Sequence, residues 1–394
     1  MRTFLAIIVA TMFAFAGLAA AQSQENTGVQ RPVQQREIDR LKRQIEQDSR
    51  SSVEAVFDYH TESGNLNQKL DFFRYGGRLN LKTGASSSLQ LTGTRTNYLP
   101  ISPTFREQGT NLTAGLHSKL GEYTQAHVEV GATRFTTDTS TINGSGSITF
   151  SHSDNTHFYV EASRSNIEES LLSATGIRPV IGPFAGRLVG RVMENRFVGG
   201  GSSRLFDHID IFAEGGAGNR AGSNVPSNFF KTFTGGAGYS VIARPDGEPL
   251  SLLRAAYELT YFGFDEDRFG FGGASLLTRN GLAVNPARIG SDGMSPNPSL
   301  TTAGLGGYFS PKNFASNVIR VEAKGGSDDS VSYQISGFLG SQIYTGSSRR
   351  LADGLSATVN VALTERLSLP VTYLIDNFGP FAQQSLFARL AVRF

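Results

Sequence analysis

From residue 51 to its end the chain repeats one pattern: segments of about ten to thirteen residues in which apolar and polar side chains alternate. Leu112, Ala114 and Leu116 alternate with Thr113, Gly115 and His117. Val128, Val130 and Ala132 alternate with His127, Glu129 and Gly131, and Phe158, Val160 and Ala162 with His157, Tyr159 and Glu161. Ile209, Ile211 and Ala213 repeat the pattern, as do Leu355, Ala357, Val359, Val361 and Leu363. A period of two gives each strand one apolar and one polar face. Globular strands average about five or six residues, whereas a tilted strand needs about nine to eleven to cross a bilayer. Past the first 21 residues no run of 18 apolar residues exists, so a transmembrane helix is excluded there. Strands in lipid must close on themselves, because an open edge leaves backbone groups without partners.

Sixteen strands are expected, near 53–60, 69–82, 86–97, 109–120, 124–135, 141–152, 156–166, 187–198, 207–218, 230–242, 251–264, 315–324, 331–343, 354–364, 367–374 and 384–394. Links after even-numbered strands are mostly short (83–85, 121–123, 153–155, 365–366), and those after odd-numbered strands tend to be longer (98–108, 167–186, 265–314, 375–383). That asymmetry belongs to outer-membrane barrels, with short periplasmic turns and long outer loops. The expected fold is therefore all-β: a transmembrane outer-membrane β-barrel of about 16 antiparallel strands over 51–394. An even strand count puts both termini on the periplasmic side of the outer membrane of a Gram-negative-type bacterium. The last strand sets Leu386, Ala388, Leu390, Val392 and Phe394 on one face and Arg389 and Arg393 on the other. A closing strand that ends on Phe resembles the signal read by the outer-membrane assembly machinery, an expected partner beside the membrane lipids.

The N-terminal 50 residues differ. Met1-Arg2, the uncharged apolar run Phe4–Leu18 and Ala19-Ala20-Ala21 make a signal peptide over 1–21. Residues 22–35 are Gln-rich and read as a flexible linker. Ile38, Leu41 and Ile45 share one face of an expected periplasmic helix over 36–50.

If the apolar phase meets lipid, the other phase builds the lumen. The pore-lining candidates are Glu54, Asp58, Glu129, Tyr159, Glu161, Asp210, Phe212, Glu214, Glu258, Phe262, Arg320, Glu322, Arg389 and Arg393. A wall mixed in sign and dotted with rings suits a neutral polymer of hydroxyls better than it selects an ion. The bland alternative is that these residues only solvate a water-filled hole. No catalytic residues are assigned: the six His lack metal-ligand spacing, and Ser151-His152 and His117-Ser118 point to opposite faces. No metal and no cofactor are expected: Asp265-Glu266-Asp267 could hold Ca²⁺ but reads first as a solvated acidic loop, and the chain has no Cys. A net charge of +2 without a Lys/Arg cluster argues against nucleic acid.

Three stretches resemble the C-terminal barrel of the cellulose synthase operon protein C family. Gly306, Gly307, Tyr308, Phe309, Ser310, Pro311 and Lys312 are close to its Gly-Gly-Tyr-Phe-Ser-Pro-Gln element. Glu169 to Gly176 is similar to its Asp-Ser-Leu-Leu-Ser-x-x-Gly loop, and Leu259-Thr260-Tyr261-Phe262 with Asp265 to its Leu-Thr-Tyr-Phe-x-Tyr-Asp run. The resemblance implies a sixteen-stranded pore, without catalysis, that exports a nascent glucan, cellulose above all. The family precedes its barrel with tetratricopeptide repeats, of which only the 36–50 helix has a counterpart here. A separate periplasmic repeat protein would then link the pore to the inner-membrane cellulose synthase. An insert at 270–303 is expected on an outer loop, as a plug, a gate or a disordered stretch. Two readings stay open: a conduit for an exopolysaccharide, or a general diffusion porin or exporter of another polymer.

Overall fold

The computed structural model describes residues 51–394 except 64–69, 85, 100–106, 137–139, 154–155, 177, 179–185, 207, 245–247, 267–307, 328–329, 378 and 380–381. The signal peptide, linker, 36–50 helix, 270–303 insert, Gly306 and Gly307 lie outside the described residues.

Sixteen strands form one closed antiparallel barrel: β1 (Ser52–Ser63), β2 (Asp71–Lys82), β3 (Ser87–Tyr98), β4 (Glu107–Lys119), β5 (Thr124–Phe135), β6 (Ser140–Ser153), β7 (Thr156–Asn166), β8 (Gly190–Arg204), β9 (Ile209–Ser223), β10 (Val225–Ala243), β11 (Leu252–Phe264), β12 (Phe314–Gly326), β13 (Val331–Tyr344), β14 (Arg350–Ala362), β15 (Leu367–Asn377) and β16 (Ala382–Arg393). Each strand pairs with its sequence neighbours, and β1 closes on β16 with Ser52 opposite Arg393 and Ser63 opposite Ala382. The one helix among the described residues, α1 (Leu171–Thr175), lies between β7 and β8. No described helix is long and apolar enough to cross a membrane.

The alternation sorts side chains as the sequence pattern requires. Leu112, Ile142 and Ile319 are 65%, 66% and 60% exposed on the outer face. Their polar neighbours on the same strands turn inward. So many exposed large apolar side chains on one continuous surface make sense only against lipid.

Links after even-numbered strands gather at one end of the barrel with both strand termini, here the turn end; links after odd-numbered strands gather at the opposite, loop end. The two longest links, 167–189 and 265–313, are both at the loop end. One expected loop there is missing. Residues 219–229 continue the β9–β10 ladder around a single turn residue, Asn224, at φ 55. Asn tolerates that left-handed conformation better than most residues. The extension brings Arg220 and Asn228 onto strands, where both are buried.

Candidate functional site

The inward phase of the wall is charged, and much of the charge is paired between neighbouring strands. Near the turn end, Glu54 on β1 meets Arg389 on β16 at 3.2 Å and Arg78 on β2 at 3.7 Å, with amide and hydroxyl support from Asn80 and Ser52. That cluster spans the β1–β16 seam where the barrel closes. Asp210 meets Arg254 at 2.5 Å, and Arg254 also lies 3.8 Å from Glu322, which accepts a hydrogen bond from Gln334. Glu258 meets Arg320 at 3.3 Å, and Glu214 meets Arg196 at 3.3 Å while accepting a hydrogen bond from the Tyr159 hydroxyl. Glu129, Glu161, Phe212 and Arg393 also face inward, half-buried. The Phe212 ring lies over Gly236 of β10, where an added Cβ would come within 2.7 Å of it.

At the loop end the interior is not an open wall. The segment 167–176, with α1, enters the barrel and is buried from Glu169 to Thr175. Glu168 and Glu169, adjacent in sequence, reach opposite walls. The Glu168 carboxylate accepts from Arg74 of β2 at 2.7 and 2.8 Å and from the Tyr98 hydroxyl of β3 at 2.8 Å. Arg74 also meets Asp58 of β1 at 3.3 Å. Glu169 accepts from Arg220 of β9 at 2.9 Å and from the Phe309 amide at 2.9 Å. Arg220 completes a triad by donating to Glu194 of β8 at 2.8 Å. The Arg220 and Glu169 side chains are each only 3% exposed.

Local sequence explains why so short a helix holds there. Ser170 and Ser173 cap its start reciprocally: each side chain accepts from the other's backbone amide, at 3.1 and 2.9 Å. Its end is closed by Gly176 at φ 72, whose amide donates to the Leu172 carbonyl at 3.0 Å. The wall satisfies two more carbonyls, Asn166 donating to Ala174 and Arg191 to Thr175. Leu171 and Ala174 pack with Phe72, Tyr98 and Phe135. Gly190 on β8 leaves room for this seat: a Cβ there would stand 2.2 Å from the Leu172 carbonyl oxygen.

The segment before β12 meets α1's segment from the other side. Tyr308 and Phe309 are each 1% exposed and Ser310 is fully buried. Tyr308 and Phe309 join Phe262, Phe264, Phe314 and Phe338 in a second apolar cluster. Phe262 stacks on Phe314 at 4.5 Å and stands edge-on to Phe309 at 6.0 Å. Arg220 lies 5.1 Å from the Phe264 ring and 5.2 Å from that of Tyr308, so cation–π attraction adds to its ion pairs. Phe262, expected as a free ring on the pore wall, faces inward but is 1% exposed beneath these aromatic side chains.

All three stretches that resembled a known family thus contribute to one interior cluster: 169–176 through Glu169, 306–312 through Tyr308 and Phe309, and 259–265 through Phe262 and Phe264. The family's sequence description, cellulose synthase operon protein C C-terminus, matches residues 34–273, more than half of the chain. The chain belongs to the cellulose synthase operon protein C C-terminal family. No curated protein matches it. Among solved structures it resembles a bacterial polysaccharide outer membrane secretin, with a TM-score of 0.59 at 9% identity over 87% of this chain and 98% of that one. Lower TM-scores, 0.39 and 0.35, go with OmpF of Salmonella typhi (11% identity; 87% of this chain, 97% of that one) and the translocator domain of autotransporter NalP from Neisseria meningitidis (11%; 92% and 95%). At family level this is an outer-membrane β-barrel, and its fold is that of a pore or transporter.

The sequence pattern does not reveal the clasp, the Arg74–Glu168 and Arg220–Glu169 pairs that hold the 167–176 segment. Arg220 and Glu194 were overlooked, Arg220 because its strand was expected to end at 218. Glu168 carried a signal: two consecutive acids between Ile167 and Leu171-Leu172 are costly if those apolar flanks bury the segment, unless both acids find cations.

Proposed function

We propose that this barrel carries a nascent glucan, cellulose, out of the periplasm, with the termini periplasmic and the loop end outside. A separate periplasmic repeat protein links it to the inner-membrane synthase, and the outer-membrane assembly machinery inserts it. Residues 51–394 form the pore, preceded by the signal peptide, the linker and the 36–50 helix. The family match is the observation that carries the reading, and the wall chemistry agrees with it. Glu54, Asp58, Asp210, Glu214, Glu258, Glu322, Arg320 and Arg389 are engaged with one another or with wall arginines, so their charges are largely neutralised in place. A wall of neutralised pairs offers a sugar polymer hydrogen-bonding surface without holding it by charge. Glu129, Tyr159, Glu161, Phe212 and Arg393 extend that lining. The 167–176 and 308–311 segments stand in the polymer's way at the loop end and must move for export.

The test is single-channel conductance of the full chain in a planar bilayer, with cello-oligosaccharides added. Small openings in the native chain, larger ones in the Glu168→Gln/Glu169→Gln variant, and current blocks that lengthen with cello-oligosaccharide length support the reading. A pore that passes ions freely and ignores every sugar points instead to a general diffusion porin.

A further inference from the structure

The outer wall carries an asymmetry that a purely lipid-facing surface does not need. Among the described strand residues, every Lys or Arg on the outward phase lies on one side of the barrel: Arg95 on β3, Arg134 on β5, Arg164 on β7 and Lys231 on β10. All four are exposed. They sit toward the loop end, Arg95, Arg134 and Arg164 within the last few residues of their strands. The outward phase of the other half, at the same end, carries Asp71 and Asp353 with Asn317 and Asn377.

The four cations are interleaved with neutral hydrogen-bonding groups. Arg95 and Arg134 flank Thr110 in one cross-strand row, which puts their backbones about 10 Å apart. Arg164 donates to Asn195 at 2.6 Å, Asn195 to Asn219 at 3.2 Å and Asn219 to Ser227 at 3.1 Å, a polar ladder on the outside of a membrane barrel. Beside that ladder the surface dips into a groove of about 590 Å³. Ile142 and Phe197 stand at its sides, Gly144, Ala162 and Ala217 form its floor, and Arg164 lies at its polar margin.

We propose that this face, β3 to β10 at the loop end, binds a phosphate-bearing, multiply acylated glycolipid of the outer leaflet. The cations meet its phosphates, the Thr110 and Asn195–Asn219 groups meet its sugar hydroxyls, and the groove seats an acyl chain. Guanidinium forks suit phosphate, and several cations spread over the strands match a headgroup with more than one phosphate rather than a single-phosphate diacyl lipid. With the loop end outside, as proposed above, cations toward that end approach the outer headgroups, where they cost little to place.

The experiment incubates the full chain in detergent with lipopolysaccharide, phosphatidylglycerol or phosphatidylcholine and counts retained lipid per chain by native mass spectrometry. Expected is retention of lipopolysaccharide at least fivefold above either phospholipid, lost in the Arg95→Gln/Arg134→Gln/Arg164→Gln variant and partly kept when the same three become Lys. The Lys82→Gln/Lys119→Gln variant, changed at the turn end, retains it fully. A heat-dependent gel shift checks that every variant is a closed barrel. Equal retention of lipopolysaccharide and phosphatidylglycerol, or retention unchanged in the folded Gln variant, overturns the proposal.

Discussion

Arg220–Glu169 at the loop end and Arg254–Asp210 near the turn end are the same chemical pair in two settings. The first pair is 2.9 Å apart and 3% exposed on both sides; the second is 2.5 Å apart, with side chains 17% and 22% exposed. Arg220 joins Glu194 of the neighbouring strand to Glu169 of an inserted segment, under aromatic side chains. Arg254 ties Asp210 to Glu322 within the wall itself, facing the lumen. One pair holds a separate piece of chain in place, and the other only dresses a surface. Charge in the barrel interior therefore has two tasks, told apart by what each pair joins. Glu54–Arg389, buried but entirely within the wall, shows that depth alone does not mark a clasp; it braces the seam between first and last strands.

Breaking the loop-end pair should give the largest effect. Arg220→Met leaves Glu169 and Glu194 buried without their countercharge, a loss of about 3–5 kcal/mol for a buried pair. At about 1.4 kcal/mol per tenfold, the seat of α1 should open more than a hundredfold more often. The chain has no Cys, so Ala174→Cys, at a fully buried position, gives a clean reporter. Maleimide labelling of Ala174→Cys should be slow, and faster by about two orders of magnitude in the Arg220→Met background. Both should keep the heat-dependent gel shift of a folded barrel, because the strand ladder is untouched. Equal labelling rates would show that the triad does not hold the segment.

A smaller effect is expected where the clasp is intact but its seat is not. Gly190→Ala places a Cβ 2.2 Å from the Leu172 carbonyl oxygen and forces a side chain onto φ 94. Strain of that kind costs about 1–3 kcal/mol, so labelling of Ala174→Cys should rise by about ten- to a hundredfold. If Gly190→Ala matches Arg220→Met, steric seating rather than charge dominates at the loop end.

The barrel was legible in the sequence because a membrane imposes its period on every strand: lipid outside and water inside leave the alternation no freedom. Sixteen strands and their order could be read from that alone, and Leu112, Val128 and Ile319 point where the pattern puts them. The inward phase was equally legible for Glu54, Asp210 and Arg389. The clasp was not, because it joins residues far apart in sequence: Arg74 to Glu168, Glu169 to Phe309, Glu169 to Arg220. No periodicity records which loop folds inward. The resemblance located all three stretches of the loop-end cluster without revealing that they touch. β9 and β10 are longer than expected because Gly222, Asn224 and Pro226 look like loop chemistry, whereas the ladder runs past them.

The sharpest form of the comparison is the smallest effect. Asp210→Asn removes the same kind of charge as Glu169→Gln but at a half-hydrated site, where Arg254 keeps Glu322 as a partner at 3.8 Å. Partly exposed pairs contribute about 0.2–1 kcal/mol, so thermal stability and labelling of Ala174→Cys should stay close to the parent's. What should change is permeation. Removing one carboxylate leaves Arg254 sharing a single acid, so the local wall gains about one positive charge and the pore's preference should move toward anions. The measurement is the reversal potential across a bilayer holding a salt gradient, with Glu169→Gln alongside. Asp210→Asn should shift it at unchanged opening frequency, and the shift should shrink in high salt as screening grows. Glu169→Gln should instead raise opening frequency. If the two variants behave alike, the division of the interior into a clasped end and a dressed wall is wrong.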